Sequence, residues 1–251
     1  VPAPTVVLQQ LASANTAIGT GAGATVTRAF TSVTVAVGDR ICVEGRTEDG
    51  DFHYTGVAKT AGTATLVATP TRDRTTGVAS TSCGNDLFTC VVNGAGTLTL
   101  TCTITHGGVI GSAVVRNGAT LLVATGAAAT NSFLSTTARQ ITITPASTNS
   151  FIATFTADWS AAASNGASFV PAGQGQVIDV RATDGVDQQA SAGSSSSVFA
   201  AHWTDTAGAG STAYGLNSPS AGTYTTTAVE FTGTGGAAPV IPMLTTPPMR
   251  R

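Results

Sequence analysis

Threonine or serine alternates with valine, leucine, isoleucine or alanine along most of this chain, most plainly over residues 63–69, 97–105, 140–144 and 224–231. A period of two places successive side chains on opposite faces of an extended strand, and β-branched residues suit that pleated surface. Further runs of this kind predict strands over 5–11, 24–30, 34–37, 40–45, 53–59, 87–92, 109–116, 120–124, 150–157, 176–181, 186–190 and 197–203. Glycine, asparagine, aspartate and proline clusters bound them at the spacing of sandwiches and barrels. The alanine-rich stretches 126–129 and 160–163 are too short to nucleate a helix and carry no apolar stripe of helical period, so loops or single turns are expected there. So many short strands without a helix predict an all-β chain: an antiparallel β-sandwich, jelly-roll-like, with extended N- and C-terminal arms.

No linker-like segment interrupts the middle, and Gly107-Gly108 is only a turn signal. One sandwich over residues 5–235 is therefore expected, with two smaller ones divided near residue 107 as the alternative. Residues 1–4, with Pro2 and Pro4, and residues 236–251 are expected to be arms. Pro239, Pro242, Pro247 and Pro248 crowd the second arm, ahead of Arg250 and Arg251, and such a segment cannot join a central strand. It needs something to lie against, and a neighbouring subunit is the expected support, with its own sandwich as the alternative. Internal repeats of roughly 20 to 50 residues and sustained heptads are both lacking, which leaves faces, edges and arms as the means of assembly.

Charged residues make up 10% of the 251 and aromatics 6%, so chemistry that runs on charge has few groups to draw on. Lys59 is the one lysine among 11 basic residues and the net charge is −2. No basic stripe follows a phosphate backbone, and nucleic acid is not an expected partner. No run of about 18 apolar residues offers a membrane-spanning helix, and no charged segment leads into an apolar block as a signal peptide would. A hydrophobic content of 42% argues against a disordered tail. With so little charge the isolated chain would tend to associate, and a homo-oligomer or larger assembly is expected.

Four cysteines allow three connectivities. Cys83 with Cys90 would close a short polar loop and Cys42 with Cys102 would tie two strands, the most economical pairing. Reduced, buried thiols are the alternative, since a chain folded in a bacterial cytosol starts reduced. Zinc spacing is missing, and no cofactor or metal site is expected. His53, His106 and His202 lie far apart; His202 with Asp205 finds no nucleophile elbow, so no catalytic triad is expected. Asp158 and Glu230 are the carboxylates that a jelly-roll glycosidase would use, although capping or bridging of strand ends explains both. The glycines at 19, 21 and 23, and at 208 and 210, precede no helix and read as turns rather than phosphate loops. Asp49, Asp51, Asp184 and Asp187 form no dense calcium set. Trp159, Trp203 and Tyr214 could stack on sugar rings, but in a chain so poor in large residues they are expected to fill the core between sheets.

Read as a string, the second half carries Asn149-Ser150, then Asp158-Trp159, then Ala201-His202-Trp203-x-Asp205-x-Ala207-Gly208, Tyr214-Gly215-Leu216-x-x-Pro219 and Tyr224-x-x-x-Ala228-Val229-Glu230. This succession resembles minor capsid and minor tail structural proteins of tailed siphoviruses that infect actinobacteria. Val33-x-Val35-x-x-Gly38-Asp39 and Gly111-x-x-Val114-Val115-Arg116-Asn117 are similar to the family more loosely, over residues 5–233 in all. The segment holding Cys83 and Cys90 and the proline-rich tail depart from it. The resemblance implies a non-enzymatic virion component made in the bacterial host cytoplasm and displayed on the particle exterior. There it would contact other virion proteins as capsid decoration or minor tail protein, reinforcing the particle or aiding contact with the host surface; a cell-surface glycan is a further candidate partner. A carbohydrate-binding adhesin module is the alternative, and a jelly-roll glycosidase a further one.

Overall fold

The computed structural model describes residues 4–18, 25–47, 52–76, 84–106, 113–147, 149–158, 168–180, 197–204, 206, 210–218, 220 and 224–233. Every element among them is a strand, and every strand pair is antiparallel. The expected all-β sandwich is what the chain forms. Among the described residues its sheets number four rather than two.

The first outer sheet is built on β9 (Gly96–His106), flanked by β2 (Thr25–Ala29), β3 (Val33–Val35) and β5 (Phe52–Ala61). The first inner sheet runs β1 (Thr5–Ile18), β10 (Ala113–Thr125), β4 (Arg40–Thr47) and β8 (Gly84–Gly94), with β6 (Thr65–Leu66) and β7 (Thr71–Thr76) along β8. The second inner sheet runs β11 (Ala127–Ser135), β18 (Tyr224–Gly233), β13 (Phe151–Asp158), β16 (Ser197–Trp203) and β15 (Gln176–Val180). The second outer sheet has the order β12 (Gln140–Ile143), β17 (Thr212–Ser218) and β14 (Ser168–Val170). The chain passes from the first sheet pair to the second at Gly126, so β10, although it follows residue 107, belongs with the first pair.

Three cores lie between the four layers, and alternation decides which residue enters which. Ile41 and Val43 of β4 meet Leu98, Leu100, Cys102 and Ile104 of the first outer sheet. Between them Cys42 points the other way and joins Leu87, Leu122, Phe151, Phe155, Val229 and Phe231 in a core between the two inner sheets. Ile152, Phe199, Trp203 and Ala228 leave that core for the third, against Ile141, Phe169, Tyr214 and Leu216. Both faces of each inner sheet are therefore covered, and β18 is buried at nine successive positions. Asn85 ties the inner sheets by side chain as well: its amide donates to the carbonyl oxygens of Thr225 at 3.1 Å and Phe155 at 3.4 Å.

The run at 63–69 is mostly turn. Gly62, at φ +98°, lies so close to the first outer sheet that a Cβ there would be 2.1 Å from the Thr97 carbonyl oxygen, and the chain swings round it, leaving only the two-residue β6. The stretch 126–129, expected as a loop, is instead the start of β11, whose Ala127 pairs with Gly233. Residues 113–116 of the run 109–116 and the whole run 120–124 belong to one long strand, β10, while residues 109–112 lie outside the described residues. Three strands had no alternation to announce them: β7 carries Arg72, Asp73 and Arg74, β14 is three residues long, and β17 is interrupted by Gly215. The run 186–190 and the arm prolines and arginines, Pro239 to Arg251, lie outside the described residues, as does Pro2; Pro4 is buried just ahead of β1.

Candidate functional site

The aromatic residues singled out by sequence sit inside. Trp203 of β16 and Tyr214 of β17 meet edge to face, with centroids 5.2 Å apart at 77°, in the third core, and neither exceeds 1% exposure. Their polar atoms are bonded within the protein. The Trp203 indole N–H donates to the Pro171 carbonyl at 2.8 Å, and the Tyr214 hydroxyl donates to Gln174 Oε1 at 2.9 Å. Burial, and then the Glu230 carboxylate, push the Tyr214 hydroxyl above its ordinary pKa. These two rings present no face for a sugar to stack on; Trp159 lies outside the described residues. His202 points to the opposite side of its strand, 5.0 Å from the Phe151 ring.

The Cys42–Cys102 disulfide does not form. Cys42 faces the core between the inner sheets, while Cys102 faces the core on the far side of β4, so the backbone of the first inner sheet stands between the two sulfurs. Cys90 is likewise a free thiol, packed against the first core, and Cys83 lies outside the described residues. Burial pushes the Cys90 thiol up to about 12; burial with the Glu44 carboxylate does the same for Cys102. Cys42 is raised well above its ordinary value by burial, then by Glu44 and Asp73. Cys42 and Cys102 are inert thiols of the core, and Cys90 is a half-buried one at its edge.

Strand register separates the carboxylates Asp158 and Glu230. Asp158 stands opposite Tyr224, and Glu230 opposite Ile152, six positions along the strand pair, or about 20 Å at strand rise. That is well beyond the separation of roughly 5 to 9.5 Å used in glycoside hydrolysis. Glu230 instead shares a cleft of about 580 Å³ with Asp73, a residue that no sequence pattern marked. Asp73 is the extra residue of a β-bulge between Arg72 and Arg74. Its carboxylate accepts hydrogen bonds from the Thr89 hydroxyl and, at 3.2 Å, from that of Ser132. Glu230 is fully buried; it accepts from the Asn131 amide at 2.9 Å and from the Ala146 backbone N–H at 2.7 Å. The cleft opens along β11, the edge strand of its sheet, with Thr130, Phe133 and Thr144 completing the lining.

A second polar cluster lies at the rim of the first core. The fully buried Asp86 accepts from the Tyr54 backbone N–H at 2.7 Å and lies 3.3 Å from His53 Nδ1 and 3.5 Å from Arg72 Nε. The Arg72 guanidinium also donates to the Tyr54 carbonyl and covers the Phe88 ring at 5.5 Å. These bonds seat β5 and β7 on β8, a structural use of the charges. Among the described residues no group of three or more His, Cys, Asp or Glu side chains could hold a metal ion. Asp49, Asp51, Asp184, Asp187 and Asp205 lie outside those residues.

Fold and site together define a four-layered antiparallel β-protein with a polar, acidic cleft where its two sheet pairs meet. No protein-family model matches the chain, and no curated protein matches it either. Among solved structures, the major capsid protein P2 from Bacteriophage PM2 aligns over 90% of this chain and 97% of that one, at 10% identity and a TM-score of 0.20. A likeness so slight carries no argument about fold or function.

Proposed function

We propose that this chain is a non-enzymatic structural component of a tailed-phage virion, displayed on the particle exterior as capsid decoration or as a minor tail protein. The observation that carries this reading is the convergence of the segments behind the siphovirus resemblance. Scattered between Asn149 and Glu230 in sequence, they are neighbours in space. Ile152 of β13 pairs with Trp203 on one side and Glu230 on the other, and Ala153 pairs with His202 and Val229. The Asn149 backbone N–H bonds the Thr206 carbonyl at 3.1 Å, the Thr206 hydroxyl bonds the Ser150 carbonyl at 3.0 Å, and Tyr214 closes over Trp203. The described parts of these segments thus belong to one packed unit, which supports that reading.

The outer layers suit assembly. Thr25, Thr27, Thr55, Thr60 and Thr97 line the exposed face of the first outer sheet, an uncharged surface that a neighbour can cover without desolvating ions. In this reading residues 236–251 reach a neighbouring subunit, so deletion of residues 239–251 weakens incorporation into particles and leaves the isolated fold intact. The direct test is gold-antibody labelling of intact and disrupted candidate phage particles by electron microscopy. Label on heads assigns decoration and label on tails assigns the tail role. Absence of label from both preparations overturns the proposal.

A further inference from the structure

We propose that a pocket between β5 and the segment 65–70 receives the proline-rich residues 239–244 of a second copy of this chain. The inference rests on the reading of residues 236–251 as a subunit contact, and it names the surface that takes them up. The pocket, about 360 Å³, has apolar walls from Ala58, Leu66, Ala68 and Pro70. Lys59 is the one ionisable side chain in its lining, and its ammonium donates to the Ala64 carbonyl at 2.6 Å. Beside it, Val37 and Val67 are 65% and 63% exposed. They flank the end of β8, where the Gly38 N–H bonds the Val92 carbonyl at 2.8 Å and the Val67 N–H bonds the Val91 carbonyl at 2.9 Å. Exposed apolar groups gathered in this way mark a contact surface.

The last described strand ends close by. Gly233 of β18 pairs with Ala127, the Ala127 carbonyl accepts from Arg40 Nε at 3.4 Å, and Arg40 stands opposite Val91. At strand and sheet spacings this path brings Gly233 within about 30 Å of the pocket. Leu244 is the eleventh residue after Gly233, a reach of about 34 Å at polyproline II rise. Residues 239–244 read Pro-Val-Ile-Pro-Met-Leu, apolar at every position, which suits a lining without carboxylates. Their prolines fix φ in advance, so ordering the segment on a surface costs less. Proline-rich segments dock in apolar grooves by the same means.

The exposed valines favour a second copy over the chain's own pocket. A segment folded back on its own chain leaves Val37 and Val67 in water. Two copies joined at this end about a two-fold axis cover both pairs of valines and exchange both segments, so that each pocket is filled by the partner's residues. With charged residues at 10% of the chain, such a contact strands few ions.

The test is disulfide trapping on the full chain in a Cys83→Ser, Cys90→Ser background. One preparation carries Thr69→Cys at the pocket, where Thr69 is exposed, and the other carries Leu244→Cys; the two are mixed and oxidised with copper phenanthroline. The proposal expects a mixed covalent dimer, formed about tenfold less when Thr27→Cys, on the exposed face of the first outer sheet, replaces Thr69→Cys. It expects a similar loss when Ala68→Trp is added to the first preparation, since Ala68 is exposed and the indole fills the pocket, the scale of one lost anchor at an interface. Absence of the mixed dimer overturns the proposal, as does a dimer that forms equally with Thr27→Cys or persists undiminished with Ala68→Trp. Closure of a chain carrying both Thr69→Cys and Leu244→Cys on itself, in place of the mixed dimer, also overturns it. Particle labelling stands apart from this result: label without the mixed dimer removes the docking and keeps the virion reading, and the mixed dimer without label does the reverse.

Discussion

Replacing Thr227 by valine should stabilise this protein, whereas the same replacement at Thr156 should destabilise it. Both threonines lie in the β13–β18 pair, both are buried to within 1%, and they project to opposite faces. Thr227 stands opposite Phe155 and faces the core between the inner sheets; its hydroxyl has no hydrogen-bond partner among the described residues. Thr156 Oγ1 lies 3.1 Å from Thr226 Oγ1 on the other face, and the two hydroxyls bond each other. Valine has the shape of threonine without the oxygen. At position 227 it removes a desolvated group that gains nothing in return, worth about 1–2 kcal/mol. At position 156 it leaves the Thr226 hydroxyl short of its partner, a cost of about 1 kcal/mol. For a chain of this size these changes amount to a melting temperature raised by about 2–8 °C in Thr227→Val and lowered by about 2–4 °C in Thr156→Val. Thermal and urea unfolding of both variants beside the parent protein gives the comparison. A Thr227→Val protein that melts lower than the parent, or both variants shifting in the same direction, would refute the four-layer arrangement, because only that packing buries the first hydroxyl unbonded and the second bonded.

Three more outcomes follow from named contacts. Gly45→Ala should cost about 1–3 kcal/mol or more, read by chemical denaturation, because a Cβ there would fall 2.3 Å from Cδ2 of the fully buried Tyr54 ring. Trp203→Phe should cost about 2–4 kcal/mol through the lost bond to Pro171 and the space left behind. In a Trp159→Phe background the Trp203 emission should be blue-shifted and resistant to acrylamide; quenching as in free indole would place the ring at the surface. Cys90 and Cys102 have folded-state values raised to about 12 against about 8.5 for a free thiol. The folded state therefore holds protons that the unfolded state gives up, so stability is complete below about pH 8.5 and falls as pH rises toward 12, by at most about 1.4 kcal/mol per pH unit for each thiol. Unfolding free energies measured across that window check the sign, and in a Cys83→Ser, Cys90→Ser background the buried Cys42 and Cys102 should react with a thiol reagent only on unfolding.

Alternation made the strands legible because it is a local property, and the run at 197–203 matches β16 residue for residue. What alternation leaves open is what each face meets. Threonine carries a methyl and a hydroxyl on one short side chain, so it tolerates water, a neighbouring hydroxyl or a packed apolar layer. Thr101 and Thr103 on β9 and Thr225 to Thr227 on β18 look alike in sequence, yet the first pair is half-exposed on an outer sheet while the second set is wholly enclosed. This ambiguity hid two of the four layers. It also explains the disulfide expectation: Cys42 and Cys102 each sit in an apolar strand, and only the count of layers reveals that they occupy different cores. The cleft was harder still to foresee. Asp73 lies among Arg72 and Arg74 after Pro70, a context that reads as a charged loop, and its position depends on a bulge that register with β8 defines. Glu230 was visible as a carboxylate inside an apolar strand, but its partners Asn131 and Ala146 lie far away in sequence. Asp73 gains its Ser132 bond only when the second sheet pair closes on the first, so the strand that carries it gives no sign in sequence of what it will meet.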